Sequence, residues 1–197
     1  MKKLFGWLGN EIFLGTLVAL LSVFTAFVSY QGAMADSEQN KYELLGMQAL
    51  NDGNAEYLRT NQDITQDYNY FDNWYLNVDE RPEIAEYYQS SFSEQLTAAI
   101  ERNPETVWDE QYYTDMYAES DQYFTDSDTN FEIGSQYDER GDQLQLILTL
   151  LAIGLAFAAW ASLLKEESNL RPLFSLFAVI IFVYGIITYI AVPAVVV

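Results

Sequence analysis

The sequence predicts an all-α fold: three transmembrane helices, with an extracytoplasmic antiparallel helical stalk or hairpin domain inserted between the first and second spans. Three observations carry this expectation. Long apolar runs without acidic or basic residues stand near both ends of the 197-residue chain. The segment between them holds 26 of the 29 acidic residues against only Lys41, Arg59, Arg81, Arg102 and Arg140. Aromatic residues recur through that segment at helical spacing, and no stretch sustains the period-two alternation of a strand.

The first run, Ile12 to Ser29, is long enough with Tyr30 and Gln31 to cross the hydrocarbon core, and Trp7 falls where an interfacial aromatic belongs. It has a second reading as a secretory signal, because Lys2 and Lys3 precede it and Ala33-Met34-Ala35 resembles a cleavage site; its length favours an uncleaved anchor. Leu144 to Leu164 is interrupted only by Gln145, and Leu173 to Val192 is followed by Pro193. Soluble helices rarely stay apolar on every face for this long. The expected organisation is a cytoplasmic tail (1–11), span 1 (12–33), an acidic helical domain (34–142), span 2 (143–164), a cytoplasmic loop (165–172), span 3 (173–192) and an outer tail (193–197). Lys2, Lys3, Lys165 and Arg171 on one side, against Lys41 and Arg140 near the other, place the N-terminus in the cytoplasm of a multi-pass plasma-membrane protein.

The acidic segment would be disordered on charge alone. Twelve of the 15 tyrosines lie in it, with Phe71, Trp74, Phe92, Trp108, Phe124 and Phe131, and these rings can bury enough surface to order helices. Tyr42, Gly46, Leu50, Gly53, Tyr57, Asn61, Ile64, Tyr68, Phe71 and Tyr75 form one stripe, and positions 42, 53, 64 and 75 suggest an eleven-residue period. A second stripe runs through Trp108, Tyr112, Met116, Tyr123, Asn130, Tyr137 and Leu144. A break is expected at Asn77 to Pro82. One helix should follow from Pro82 through Ile100, and Pro104 should open the last long helix.

Histidine and cysteine are absent. Cysteine nucleophiles, histidine bases, disulfides, haem or iron–sulfur ligation and ordinary zinc sites are thereby excluded. A net charge of -20 argues against nucleic acid. The sharpest motif is Asp126, Asp128 and Asn130, the D-x-D-x-N opening of a calcium loop, although Phe131 and Tyr137 stand where such a loop needs glycine and a bidentate glutamate. Diffuse attraction of cations by the whole segment is the broader expectation. Adjacent acids such as Asp79/Glu80, Asp109/Glu110 and Asp138/Glu139 diverge on a helix and do not make an acid–base pair. No cofactor motif occurs. Within the spans, Gly15 with Ala19 and the series Ala152, Gly154, Ala156 and Ala158 have the small-residue spacing of close helix packing.

The layout resembles uncharacterised prokaryotic three-span membrane proteins with an acidic helical ectodomain. The resemblance is carried by the stretch GMQALNDGNAEYLRTNQDITQDYNYFDNWY, then ERGDQLQLILTLLAIGLAFAAWAS and a third span. It implies a prokaryotic envelope protein and transfers no activity. The acid-rich, lysine-poor composition also resembles adaptation to salt, and confinement of charge to one exposed domain explains it equally well. The expected function is therefore a non-enzymatic membrane protein, a homo-oligomer or an accessory subunit of other membrane chains. Tyr57, Tyr68, Tyr75, Trp108, Tyr112 and Tyr123 would form its ectodomain interface. The alternative is an oligomeric cation channel with an acidic outer vestibule.

Overall fold

The computed structural model describes residues 6–196. A 3-10 turn, Gly6–Gly9, precedes five helices: α1 (Glu11–Asn77), α2 (Pro82–Gln89), α3 (Glu94–Arg102), α4 (Glu110–Leu163) and α5 (Leu170–Ala191). Among the described residues there is no strand, so the all-α class is as expected. The helices α1, α4 and α5 each contain a stretch long and apolar enough to cross a membrane, consistent with a multi-pass membrane protein. Lys2 and Lys3, which contribute to the expected orientation, lie outside the described residues.

Helix boundaries follow local capping chemistry. The Asn10 side chain accepts from the Ile12 amide at 2.8 Å, satisfying a free donor where α1 begins. Near its other end α1 is rich in asparagine. Asn69, Asn73 and Asn77 each donate to a carbonyl one turn back at 2.7–2.8 Å, so their amides support the helix instead of breaking it. Pro82 begins α2. The expected single helix from Pro82 through Ile100 is in fact two. Ser90 and Ser91 turn their hydroxyls to the Tyr87 carbonyl, and Ser93 then caps α3 by accepting from the Leu96 amide at 3.0 Å. Pro104 does not open the last long helix either. Asn103 forms a turn with Glu105 and Thr106, and Asp109 caps α4 by accepting from the Tyr112 amide at 2.8 Å. Asp109 also holds Arg102 through two hydrogen bonds, tying the end of α3 to the start of α4.

The chain forms two compact units, one of Met1–Glu43 with Glu132–Val197 and one of Leu44–Phe131. In the first, the apolar unit, α1 buries Leu14, Leu21, Val28 and Ala35, every seventh residue. Of these, Leu21 and Val28, with Leu17, share a core with Leu144, Ile147, Leu151 and Ala158 of α4 and Ala178 of α5. Phe24 meets the edges of Phe182 and Tyr189 with ring centres 5.9 and 5.6 Å apart. Glycines set how closely these helices approach. A methyl group on Gly154 would lie 2.9 Å from Ile181, and one on Gly185 would lie 2.8 Å from Leu151.

The second unit, polar and acidic, repeats the seven-residue rule with smaller residues. Gly46, Gly53, Thr60 and Asp67 of α1 are buried, as are Ser120 and Ser127 of α4. The Phe131 ring fills the space over Gly46 and the Phe124 ring that over Gly53, so that an added Cβ would sit 2.8 and 2.9 Å away. Each step of seven along α1 meets a step of seven back along α4, an antiparallel register. Ser127 donates to the Gly46 carbonyl at 3.0 Å and helps to fix it. The buried repeat is thus seven residues, not the eleven expected from positions 42, 53, 64 and 75. Leu50, Tyr57 and Tyr75 of that stripe are exposed. A seven-residue repeat belongs to left-handed supercoiling. Ile64, Leu96, Ala99, Val107 and Tyr112 close the far end of this unit in a small core ringed by Phe71, Phe92 and Trp108.

Glycine packing makes a direct prediction. Gly46→Val drives a branched side chain into Phe131 and should cost about 1–3 kcal/mol, lowering the thermal midpoint of helicity. Gly15 faces open space, so Gly15→Ala should leave the midpoint unchanged or raise it, by about 0.5–1 kcal/mol of helix propensity at most. Equal losses from both substitutions would contradict this packing.

Candidate functional site

The polar unit contains an open cleft of about 450 Å³ between α1, α3 and α4. Glu56, Asp63, Asp67, Asp115 and Glu119 line it with a single cation, Arg59. Arg59 approaches Glu56 at 3.4 Å and Asp63 at 3.9 Å, and its side chain is largely solvated, so these pairs contribute little to stability. The remaining lining includes Thr60, Gln66, Ser91, Ser93 and Gln95. Such a cleft can hold hydrogen-bond donors and positive charge. It offers no cysteine or histidine nucleophile.

At the floor of the cleft Asp67 is 2% exposed. Burial of a carboxylate is costly unless donors replace its water. Three do so: the Ser93 amide at 3.1 Å, the Ser93 hydroxyl, and the Tyr112 hydroxyl at 2.8 Å. One side chain on α1 thereby joins the cap of α3 to the first turn of α4. The arrangement is a structural knot, because its acceptor capacity is committed to protein donors.

Tyrosine chemistry extends outward from the knot. Burial, followed by the bond to Asp67, holds the Tyr112 hydroxyl far above its ordinary value of 10.0. Tyr68 and Tyr113 share a hydrogen bond between their hydroxyls, and that bond together with burial pushes Tyr68 up to about 12. Tyr117 donates to Asn61 at 2.8 Å and stacks on Tyr57 with ring centres 5.2 Å apart. Near the α4 start, the Arg102 guanidinium and then the Tyr112 amide hold the Asp109 carboxyl below its usual range.

The sequence-derived site residues are distributed as follows. Tyr112, expected at the interface, is fully buried and belongs to the knot. Trp108 is half-buried against Tyr68 and Phe71, and Tyr123 is half-buried beside Gly53. Tyr57, Tyr68 and Tyr75 remain on the surface. Asp126, Asp128 and Asn130 do not form a calcium loop. They lie in the unbroken helix α4, where Asn130 donates to the Asp126 carbonyl at 2.8 Å and Gln122 to the Asp126 carboxylate at 2.7 Å. Residues two apart on a helix point to nearly opposite sides, so Asp126 and Asp128 cannot converge on one ion. Among the described residues no three acidic side chains are grouped to hold a metal. In the apolar unit Gly154 and Ala158 are buried in helix contacts, while Gly15, Ala19, Ala152 and Ala156 face outward. Sequence reasoning missed Asp67 and Ser93 in the knot. It also missed Ser120, Ser127, Gly134 and Gly141, whose seven-residue spacing was the available signal. No protein-family model, curated protein or solved structure matches the chain.

A phenol held protonated by the fold stabilises it fully below the phenol's ordinary value, and that stability is lost as pH rises toward the folded value. The unfolding midpoint should therefore fall as pH rises above 10. Tyr112→Phe should cost about 1–3 kcal/mol near neutrality, since Asp67 loses a donor, and should flatten the alkaline decline. An unaltered alkaline profile in Tyr112→Phe would contradict the knot.

Proposed function

We propose that the chain is a non-enzymatic integral membrane protein whose acidic helical ectodomain is an interaction surface. In this reading it assembles as a homo-oligomer or as an accessory subunit of other membrane chains, with its N-terminus in the cytoplasm and residues 34–142 outside a prokaryotic plasma membrane. The observation that carries the reading is the surface around the turn between α1 and α2. Tyr75, Leu76 and Tyr87 are 68, 75 and 67% exposed in a unit that packs most of its other rings. Exposed apolar surface rimmed by charge marks contact with other molecules, and tyrosine is favoured there because one end is apolar and the other hydrogen-bonds. The acidic cleft, with Asp63, Asp115 and Glu119, suits a partner surface carrying positive charge. Asp67, the most enclosed carboxylate, is occupied by Ser93 and Tyr112, which supports binding over acid–base chemistry. Within the membrane, the outward small residues Gly15, Ala19, Ala152 and Ala156 allow close approach of another helix.

Photo-crosslinkers placed at Tyr75 and Tyr87 in the full-length protein, in its native membrane, should capture discrete protein adducts. The variant Tyr75→Ser/Leu76→Ser/Tyr87→Ser, monitored with a crosslinker at Val78, an exposed residue of the same turn, should reduce capture by about tenfold, a loss of about 1.4 kcal/mol, with helicity and thermal midpoint unchanged. Capture of lipid or of nothing at all would overturn the reading.

A further inference from the structure

We propose that Arg171 and Ser175, at the start of α5, form a site for a phosphate anion, supplied by the headgroup of an anionic phospholipid at the membrane interface. This rests on α5 being a membrane span, but not on the role assigned to the acidic unit.

Arg171 is 3% exposed and Ser175, one turn further along α5, is 0% exposed. The guanidinium donates from Nη1 to the Leu164 carbonyl at 3.3 Å, but its Nε–H has no acceptor. The Ser175 hydroxyl is likewise buried without a partner. Among the described residues no carboxylate pairs with Arg171. A buried guanidinium stays charged, and a buried charge without a counter-charge is strongly unfavourable. Glu166 and Glu167 lie in the loop just before α5, yet among the described residues neither is within ion-pair distance of the guanidinium. The helix α5 has 22 residues, no acid in its first turn and no side-chain cap from Asn169, so its N-terminal dipole faces the same locality.

Three features select phosphate. Guanidinium matches a phosphate oxygen pair with two parallel hydrogen bonds. Arg171 stands two residues before the apolar run that begins at Leu173, which is headgroup depth for a spanning helix. The 3-10 turn packed on α5 carries Trp7, 60% exposed, the amphipathic residue type found at that depth. The turn places Gly9 beside the Arg171 stem, where an added Cβ would make an ordinary contact 3.9 Å from Cγ and Cδ. Closing α4 through Leu164 uses one guanidinium hydrogen and leaves the rest of the fork for the ligand.

The test is native mass spectrometry of the full-length protein, titrated in detergent with phosphatidylglycerol, phosphatidylcholine or inorganic phosphate. Wild type should retain one phosphatidylglycerol per chain, and the same lipid in nanodiscs should raise its thermal midpoint above that in phosphatidylcholine alone. Arg171→Gln should weaken retention by about tenfold or more and lose the lipid-dependent midpoint shift, and Ser175→Ala should weaken retention by a smaller factor and reduce that shift. Matching stabilisation by inorganic phosphate in lipid-free detergent would support the site and assign it to free phosphate. If Arg171→Gln does not fold, Ser175→Ala and the wild-type lipid preference decide. Retention equal to wild type in folded variants, no preference for the anionic lipid, or a partner chain's carboxylate crosslinked at position 171 would overturn the proposal.

Discussion

The approach of α1 to α4 depends on having almost nothing between them. In the polar unit that contact is made at Gly46, Gly53, Ser120 and Ser127, which leave room for the rings of Phe124 and Phe131 to lie directly on glycine backbone. The consequence is an interior with few aliphatic side chains, in which aromatic rings supply the buried area and small residues supply the geometry. In the apolar unit glycine sets the approach of α4 to α1 at Gly141, against Asp36, and of α4 to α5 at Gly154 and Gly185, against Ile181 and Leu151. In lipid this has a particular value, since apolar side chains gain little by leaving lipid for protein and close packing must drive association.

A helix pair held by glycine and serine specifies spacing more strongly than it specifies where the polar unit ends. Asp67 supplies that second constraint. By accepting from Ser93 and Tyr112 it ties α3 and α4 to one position on α1, and Asp109 joins α3 to α4 through Arg102. Buried polar groups of this kind contribute modestly when satisfied and cost heavily when one donor is removed. They fix one arrangement among several that a ring-rich, weakly aliphatic core would tolerate.

Much of this was legible in the sequence. The apolar runs predicted helices long enough to span a membrane, and the missing alternation predicted the absence of strands. Pro82 was recognised as a helix start because its fixed φ and missing amide hydrogen have a single natural place in a helix. Pro104 misled by the same logic, since Asp109 is the better cap and Asn103 makes a turn before it. The seven-residue repeat is hard to see in the sequence because it falls on small residues. Tyr42, Ile64 and Tyr75 stand out to the eye, whereas the buried positions are Gly46, Gly53, Ser120 and Ser127. Asp67 could not be found, because its donors lie 26 and 45 residues away and only the fold brings them together. Asp126 and Asp128 show the converse, a ligand-like spacing that is cheap in a chain this acidic and that falls within the continuous helix α4.

The proposed role as an interaction surface rests on how the acidic unit distributes its carboxylates and rings. A few of the chain's carboxylates pair with Lys41, Arg59 or Arg102 and Asp67 is buried and satisfied, while the unit's most exposed rings lie where α1 turns into α2. The measurement closest to that account is the mass of the gently solubilised complex, taken with its protein subunits intact. The account predicts a discrete assembly, either several copies of this chain or this chain with other membrane subunits; a ring of four or more identical copies would direct attention to cation conductance. A single chain carrying only lipid, across the concentrations at which the protein occurs in its membrane, would contradict it.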